Sequence, residues 1–97
     1  DKALLELTGM EKNERVLVVN NTSGSRLETY IIEGEANSGA IEMNGAAAHL
    51  IHPGDEVIIM AFTLAEKAFE PTTILVDEEN KFVRYLNERA SSTVDDC

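Results

Sequence analysis

The chain has 97 residues, 43% of them apolar, and 18 acids against 8 Lys and Arg give a formal charge of −10. That is enough for one small globular domain and too apolar for a disordered one. Nucleic acid and anionic membrane are excluded as partners for want of a basic patch, and no apolar run approaches the ~20 residues that span a bilayer.

Acidity of this degree mainly confers solubility. It also repels small anions at long range, so an anion site here has to be built from local donors. The chain opens on Asp1-Lys2 without an initiator Met, and residue 1 is expected not to be the start of translation. The single cysteine, Cys97, rules out an internal disulfide and suits a reducing, cytoplasmic setting.

In chain order, "DKALLELTG" predicts a short helix with Asp1 as N-cap and Gly9 as stop. "RVLVVN", residues 15–20, is continuous and β-branched, which predicts a strand covered on both faces. "NTSGS" is a turn, and "RLETYIIEG", residues 26–34, is a second strand. "AIEM", residues 40–43, reads as a short third strand, "DEVIIMAFT" as a fourth and "TTILVDEEN" as a fifth, closed by an acidic turn. After Asn80 the β-pattern fades, and a helical turn or two is expected before a polar tail. The domain reading is a barrel-like unit over 1–80 followed by a tail over 81–97.

"LELTGMEKNERVLVV" and "AAAHLIHPGDEVIIM" superpose at a constant offset, Asn13 on Gly54, Glu14 on Asp55, Val16 on Val57 and Val18 on Ile59. Each has a short helix, a turn residue, an acid, a spacer and a buried strand. The shared order suggests two related halves of one small mainly β barrel, whose closure would remove exposed edges.

"MNGAAAHLIHPGDE" begins with an Asn-Gly pair, usually a hairpin signal. Alanine favours helix over strand, so the expectation is Asn44 as N-cap of a short helix stopped by Pro53-Gly54. Gly45, Ala46 and Ala47 have little side chain to cover the backbone N–H groups. Close packing and main-chain binding of a small anion both account for them. "GSRLETY" puts Arg26, Glu28 and Tyr30 on one face of a strand, with Thr29 on the other unless a bulge turns it. Arg26 offers a fork for a carboxylate, and Tyr30 a proton donor; an ion pair with Glu28 and a half-buried sheet position are the plainer roles. His49 and His52 have a ligand-like spacing without a third ligand, so no metal site is assigned.

Taken together, "GSRLETY" and "NGAAAHLIHPGDEVII" resemble the pyruvoyl-dependent aspartate 1-decarboxylase family, over Asp1 to about Asp77. The resemblance implies a six-stranded double-psi β-barrel with short helices, assembled as a homotetramer. It implies decarboxylation of L-aspartate to β-alanine and carbon dioxide through a Schiff base, in pantothenate synthesis. By the same resemblance Arg26 holds the substrate's side-chain carboxylate, Thr29 contacts substrate and assists precursor self-cleavage, and Tyr30 is the proton donor. Asn44 lines the pocket, and Gly45, Ala46 and Ala47 provide substrate-binding main chain. In that family a serine becomes the covalent pyruvoyl cofactor on self-cleavage. By alignment it falls a few residues upstream of Asp1, with a short N-terminal β-chain further upstream as a separate partner. The alternative is a non-catalytic double-psi barrel serving as a binding or adaptor module.

Overall fold

A computed structural model describes residues 1–86. The readings that fall on residues 87–97, Cys97 included, lie outside the described residues. Helix α1 spans Lys2–Thr8, and its ends form as expected. The Asp1 carboxylate accepts the Ala3 N–H at 2.8 Å, and Gly9 closes the helix at φ 78°.

Strand β1, Arg15–Asn20, lies between β2, Arg26–Tyr30, and β3, Val57–Ala61, in an antiparallel sheet. Alternation along β1 turns Val16 and Val18 into the core and leaves Leu17 and Val19 half-covered. The run expected to be covered on both faces is thus fully buried on one. Ile31 completes the buried apolar set among the described residues, and Leu5, Met10, Leu27, Met43, Ile51 and Ile59 pack around it. A second antiparallel sheet pairs β4, Ile74–Val76, with β5, Phe82–Tyr85. The Phe82 and Tyr85 rings meet edge to face, 5.2 Å between centroids.

The described residues are therefore mainly β, in two antiparallel sheets with little helix. Several expected elements differ. The second strand ends at Tyr30 rather than Gly34. Asn13, at φ 69°, turns the chain just ahead of β1, so β2 runs out of partner beyond Ile31, whose amide and carbonyl bond Glu14 and Asn13. Residues 40–43 join no sheet; only Met43 among them packs against the core. The fourth and fifth strands shorten to 57–61 and 74–76. The helical turn expected after Asn80 is instead strand β5.

The internal echo has a physical counterpart. Asn13 and Gly54 both take positive φ, 69° and 92°. In each unit the acid that follows folds back on the residue three before it. The Glu11 N–H meets Glu14 Oε1 at 3.0 Å, and the His52 N–H meets Asp55 Oδ2 at 2.9 Å. β1 and β3 then pair about Val18 opposite Ile59, each facing its own counterpart, with Val16 opposite Ala61 and Asn20 opposite Val57. The two strands are related by a local two-fold through that pair.

The segment that leads to Asn44 is held from both sides. Asp1 accepts the Asn37 and Gly39 N–H groups, each at 2.9 Å. Asn80 donates to the Gly39 carbonyl at 2.9 Å. Gly39 is needed there twice over. Its φ is +74°, and a Cβ would lie 2.4 Å from the Glu79 carbonyl oxygen. Among the described residues no helix is long and apolar enough to cross a membrane.

Candidate functional site

β2 presents two faces. Arg26, Glu28 and Tyr30 are exposed on one, while Leu27 and Thr29 turn inward. Its register with β1 runs without a bulge, so Thr29 stays opposite Arg26 and Tyr30. Glu28 pairs with Arg15 across the sheet, not with Arg26. Among the described residues no carboxylate pairs with Arg26. Tyr30 is 58% exposed, so it is no half-buried sheet residue.

Gly45–His49 forms a 3-10 helix rather than an α-helix. Five residues bounded by Asn44 and the Pro53-Gly54 turn suit that tighter form, which is used in short pieces. Asn44 occupies the cap position in extended conformation, φ −107° and ψ 155°, but its side chain makes no cap bond. Gly45 takes φ +58°, and a Cβ there would meet nothing within 4 Å, so its need is conformational, not steric. Ala46 is exposed and Ala47 half-buried.

The two segments meet. Glu28, Thr29, Asn44, Ala46 and Ala47 line one open depression of about 250 Å³, with Leu27 and Leu50 as apolar wall. That volume is below the ~300–1,000 Å³ of drug-sized sites and suits a small metabolite. Arg26 and Tyr30 lie on the outward face of the same strand and do not line it. Gly45 is adjacent to the lining without being part of it. Among the described residues the side chains of Arg26, Thr29, Tyr30 and Asn44 make no hydrogen bond. Asn20, Asn21 and Asn80, by contrast, all spend their carboxamides. A larger depression of about 360 Å³ beside α1, bordered by Lys2, Glu6, Lys12 and Glu33, mixes both charges and contains none of the predicted site residues.

His49 is exposed. His52 sits beside Asp55, Nδ1 3.7 Å from Oδ2. The Asp55 carboxyl is held below its ordinary value, chiefly by the His52 backbone N–H and then by the Asn20 carboxamide. Among the described residues no group of three His, Cys, Asp or Glu comes together to hold a metal ion.

One residue near the pocket escaped the sequence reading. Asn20, at the end of β1, is fully buried. The only signal was a polar residue at a period-two core position after Val16 and Val18, and it reads equally well as the start of the turn.

Comparison with known proteins gives a consistent picture. The aspartate decarboxylase family matches residues 1–83. An aspartate 1-decarboxylase of Bacillus pumilus is 44% identical over 97% of this chain and 77% of its own length. One of Acetivibrio thermocellus is 45% identical over 91% of this chain and 73% of its own. One of Prosthecochloris aestuarii is 55% identical over 82% and 65% respectively.

Proposed function

The chain belongs to the aspartate decarboxylase family, and from that premise we propose that it converts L-aspartate to β-alanine and carbon dioxide, the step that feeds pantothenate synthesis. One observation carries the assignment to a place in the fold. Thr29, Asn44, Ala46 and Ala47, drawn from segments well apart in sequence, line a single small pocket. The unspent polar side chains of Arg26 and Tyr30 stand on the strand that forms its wall.

The cofactor in this reading is a pyruvoyl group, formed from a serine N-terminal to Asp1 and accompanied by a short upstream β-chain. The residues present fit such a group. The Asp1 nitrogen donates to the Ala40 carbonyl at 2.7 Å, on the segment that runs into Asn44. Thr29 and Asn44 offer donors for a ketone and its amide. The carboxylate that lines the pocket, Glu28, is paired with Arg15. When bound, the group supplies a carbonyl that accepts the electron pair left by the departing carboxylate.

The chain's own residues do the rest. Arg26 grips the carboxylate that is retained, through two parallel N–H···O bonds. That orients aspartate and keeps positive charge away from the carboxylate that leaves, where it would stabilise the ground state. Asn44 and the main chain of Gly45, Ala46 and Ala47 hold the substrate against the wall formed by Thr29. Tyr30 delivers a proton to the former α-carbon from its phenolic oxygen. The overall charge of −10 opposes an acidic substrate, but screening over ~8–10 Å at physiological salt leaves Arg26 dominant at contact range.

Arg26 and Tyr30 face away from the pocket of their own copy. We therefore take the site to be completed in a homotetramer of double-psi β-barrels, each including the upstream chain. The outward pair of one copy would face the pocket of the next, in the cytoplasm. Exposure of Ile32 (63%), Phe62 (70%) and Leu64 (101%) supports a chain that buries more surface against partners. Incubating the self-processed protein with L-aspartate tests the activity. Equal amounts of β-alanine and carbon dioxide are expected; neither product, from protein whose pyruvoyl terminus is verified by mass, leaves the binding-module reading.

A further inference from the structure

Asn20 is a fully buried polar residue, and its side chain spends all its usual hydrogen-bonding capacity. Nδ2 donates to the Leu50 carbonyl at 3.1 Å and to Asp55 Oδ2 at 2.8 Å. Oδ1 accepts the Thr22 and Ser23 N–H groups at 3.0 and 3.2 Å. One carboxamide thus joins the turn that launches β2, the residue that ends the 3-10 helix, and the acid that precedes β3. Ser25 Oγ adds a second donor to the same Leu50 carbonyl at 3.2 Å.

These are the two walls of the pocket. Leu27 and Thr29 follow the turn, and Asn44, Ala46 and Ala47 precede Leu50. A buried polar network that is fully satisfied holds one geometry, where an apolar contact would tolerate several. We propose that Asn20 is a positioning residue that sets the spacing between the β2 wall and the Gly45–Leu50 wall of the substrate pocket. It touches no substrate and acts through the Leu50 carbonyl. This role rests on the pocket being the aspartate site.

The test is an exchange of partners in the self-processed enzyme. In Asn20→Asp alone, two carboxylates face each other inside the network, so they share one proton. That variant should lose activity as pH rises through the pair's upper titration, a limb the wild type lacks, since an amide does not titrate. Adding Asp55→Asn restores an amide–carboxylate contact and removes the limb. The carboxylate now at position 20 still accepts from Thr22 and Ser23, but the amide nitrogen now at position 55 takes the place of Asp55 Oδ2 and no longer accepts the His52 N–H. The N–H donor to the Leu50 carbonyl is missing as well, and a carboxylate oxygen faces that carbonyl instead.

The double variant should therefore melt below wild type, by about 4–8 °C for each kcal/mol lost, yet stay folded at assay temperature. Amide exchange should accelerate more across residues 45–51 than along β1, and KM for aspartate should rise about tenfold, because wall displacements of an ångström are costly. Wild-type KM in the double variant overturns the role, whatever the exchange shows, and so does unchanged exchange across 45–51. Wild-type protein run alongside separates the two claims. β-Alanine from wild type with an unaltered KM in the double variant sinks only Asn20's role; no β-alanine from wild type sinks the substrate reading and this role with it.

Discussion

Replacing Arg26 with Met should separate activity from stability. The side chain is exposed, and its guanidinium pairs with no carboxylate among the described residues, since Arg15 has taken Glu28. Removing it breaks no contact within the fold, and stability should change by no more than about 0.5 kcal/mol. In the enzyme the same group is asked to hold a carboxylate. A hydrogen bond to a charged group contributes roughly 1.5–3 kcal/mol when shielded, and solvent screening lowers this for an exposed pair. Two such bonds, discounted in that way, come to about 2–4 kcal/mol. That converts to a fall in kcat/KM of about 30-fold to about 1,000-fold. Arg26→Lys keeps the charge and loses the fork, so its loss should be intermediate. The assay is steady-state β-alanine formation beside a thermal melt of the same preparation. Arg26→Met with unaltered kcat/KM would refute the carboxylate role, and a melt lowered by 10 °C or so, well beyond the shift from a surface substitution, would show a structural role instead.

Tyr30→Phe should fold normally, because the phenol is exposed and makes no hydrogen bond to the described residues. Substrate capture should persist while turnover falls about 100-fold or more, the usual worth of a placed proton donor; stopped-flow and steady-state product formation separate the two steps. Ala46→Leu puts an isobutyl group into a pocket of about 250 Å³ from an exposed position, so KM should rise steeply with little change in the melt. Gly39→Ala combines a positive φ of +74° with a Cβ 2.4 Å from a backbone oxygen, and should cost about 1–3 kcal/mol in chemical denaturation.

Local chemistry was the readable part. Asp1 and Gly9 bound α1 because capping is decided by single residues. The continuous β-branched run at 15–20 marked β1, and the paired turns at Asn13 and Gly54 were visible as an echo before any pairing was known. Residues 40–43 misled because short β-favouring runs carry no information about whether a partner strand is available. Strand β5 was missed for the opposite reason. All four of its residues are exposed, so no buried face impresses an alternation on the sequence. At the site, alternation correctly separated Thr29 from Arg26 and Tyr30. That β2 and the Asn44 segment share a pocket is a long-range fact. It came only through the likeness to a family. Asn20 was hidden because a polar residue after a strand looks like a turn, whether it points to water or into the core.

The most direct test is a structure of the self-processed assembly with L-aspartate chemically trapped at the active site. The expected result is ligand between Thr29 and the Asn44–Ala47 segment, its retained carboxylate bonded by an Arg26 guanidinium and its α-carbon within reach of a Tyr30 hydroxyl, from the same or the adjoining copy. Ligand bound at another surface, or with Arg26 and Tyr30 of every copy beyond contact, would contradict the account.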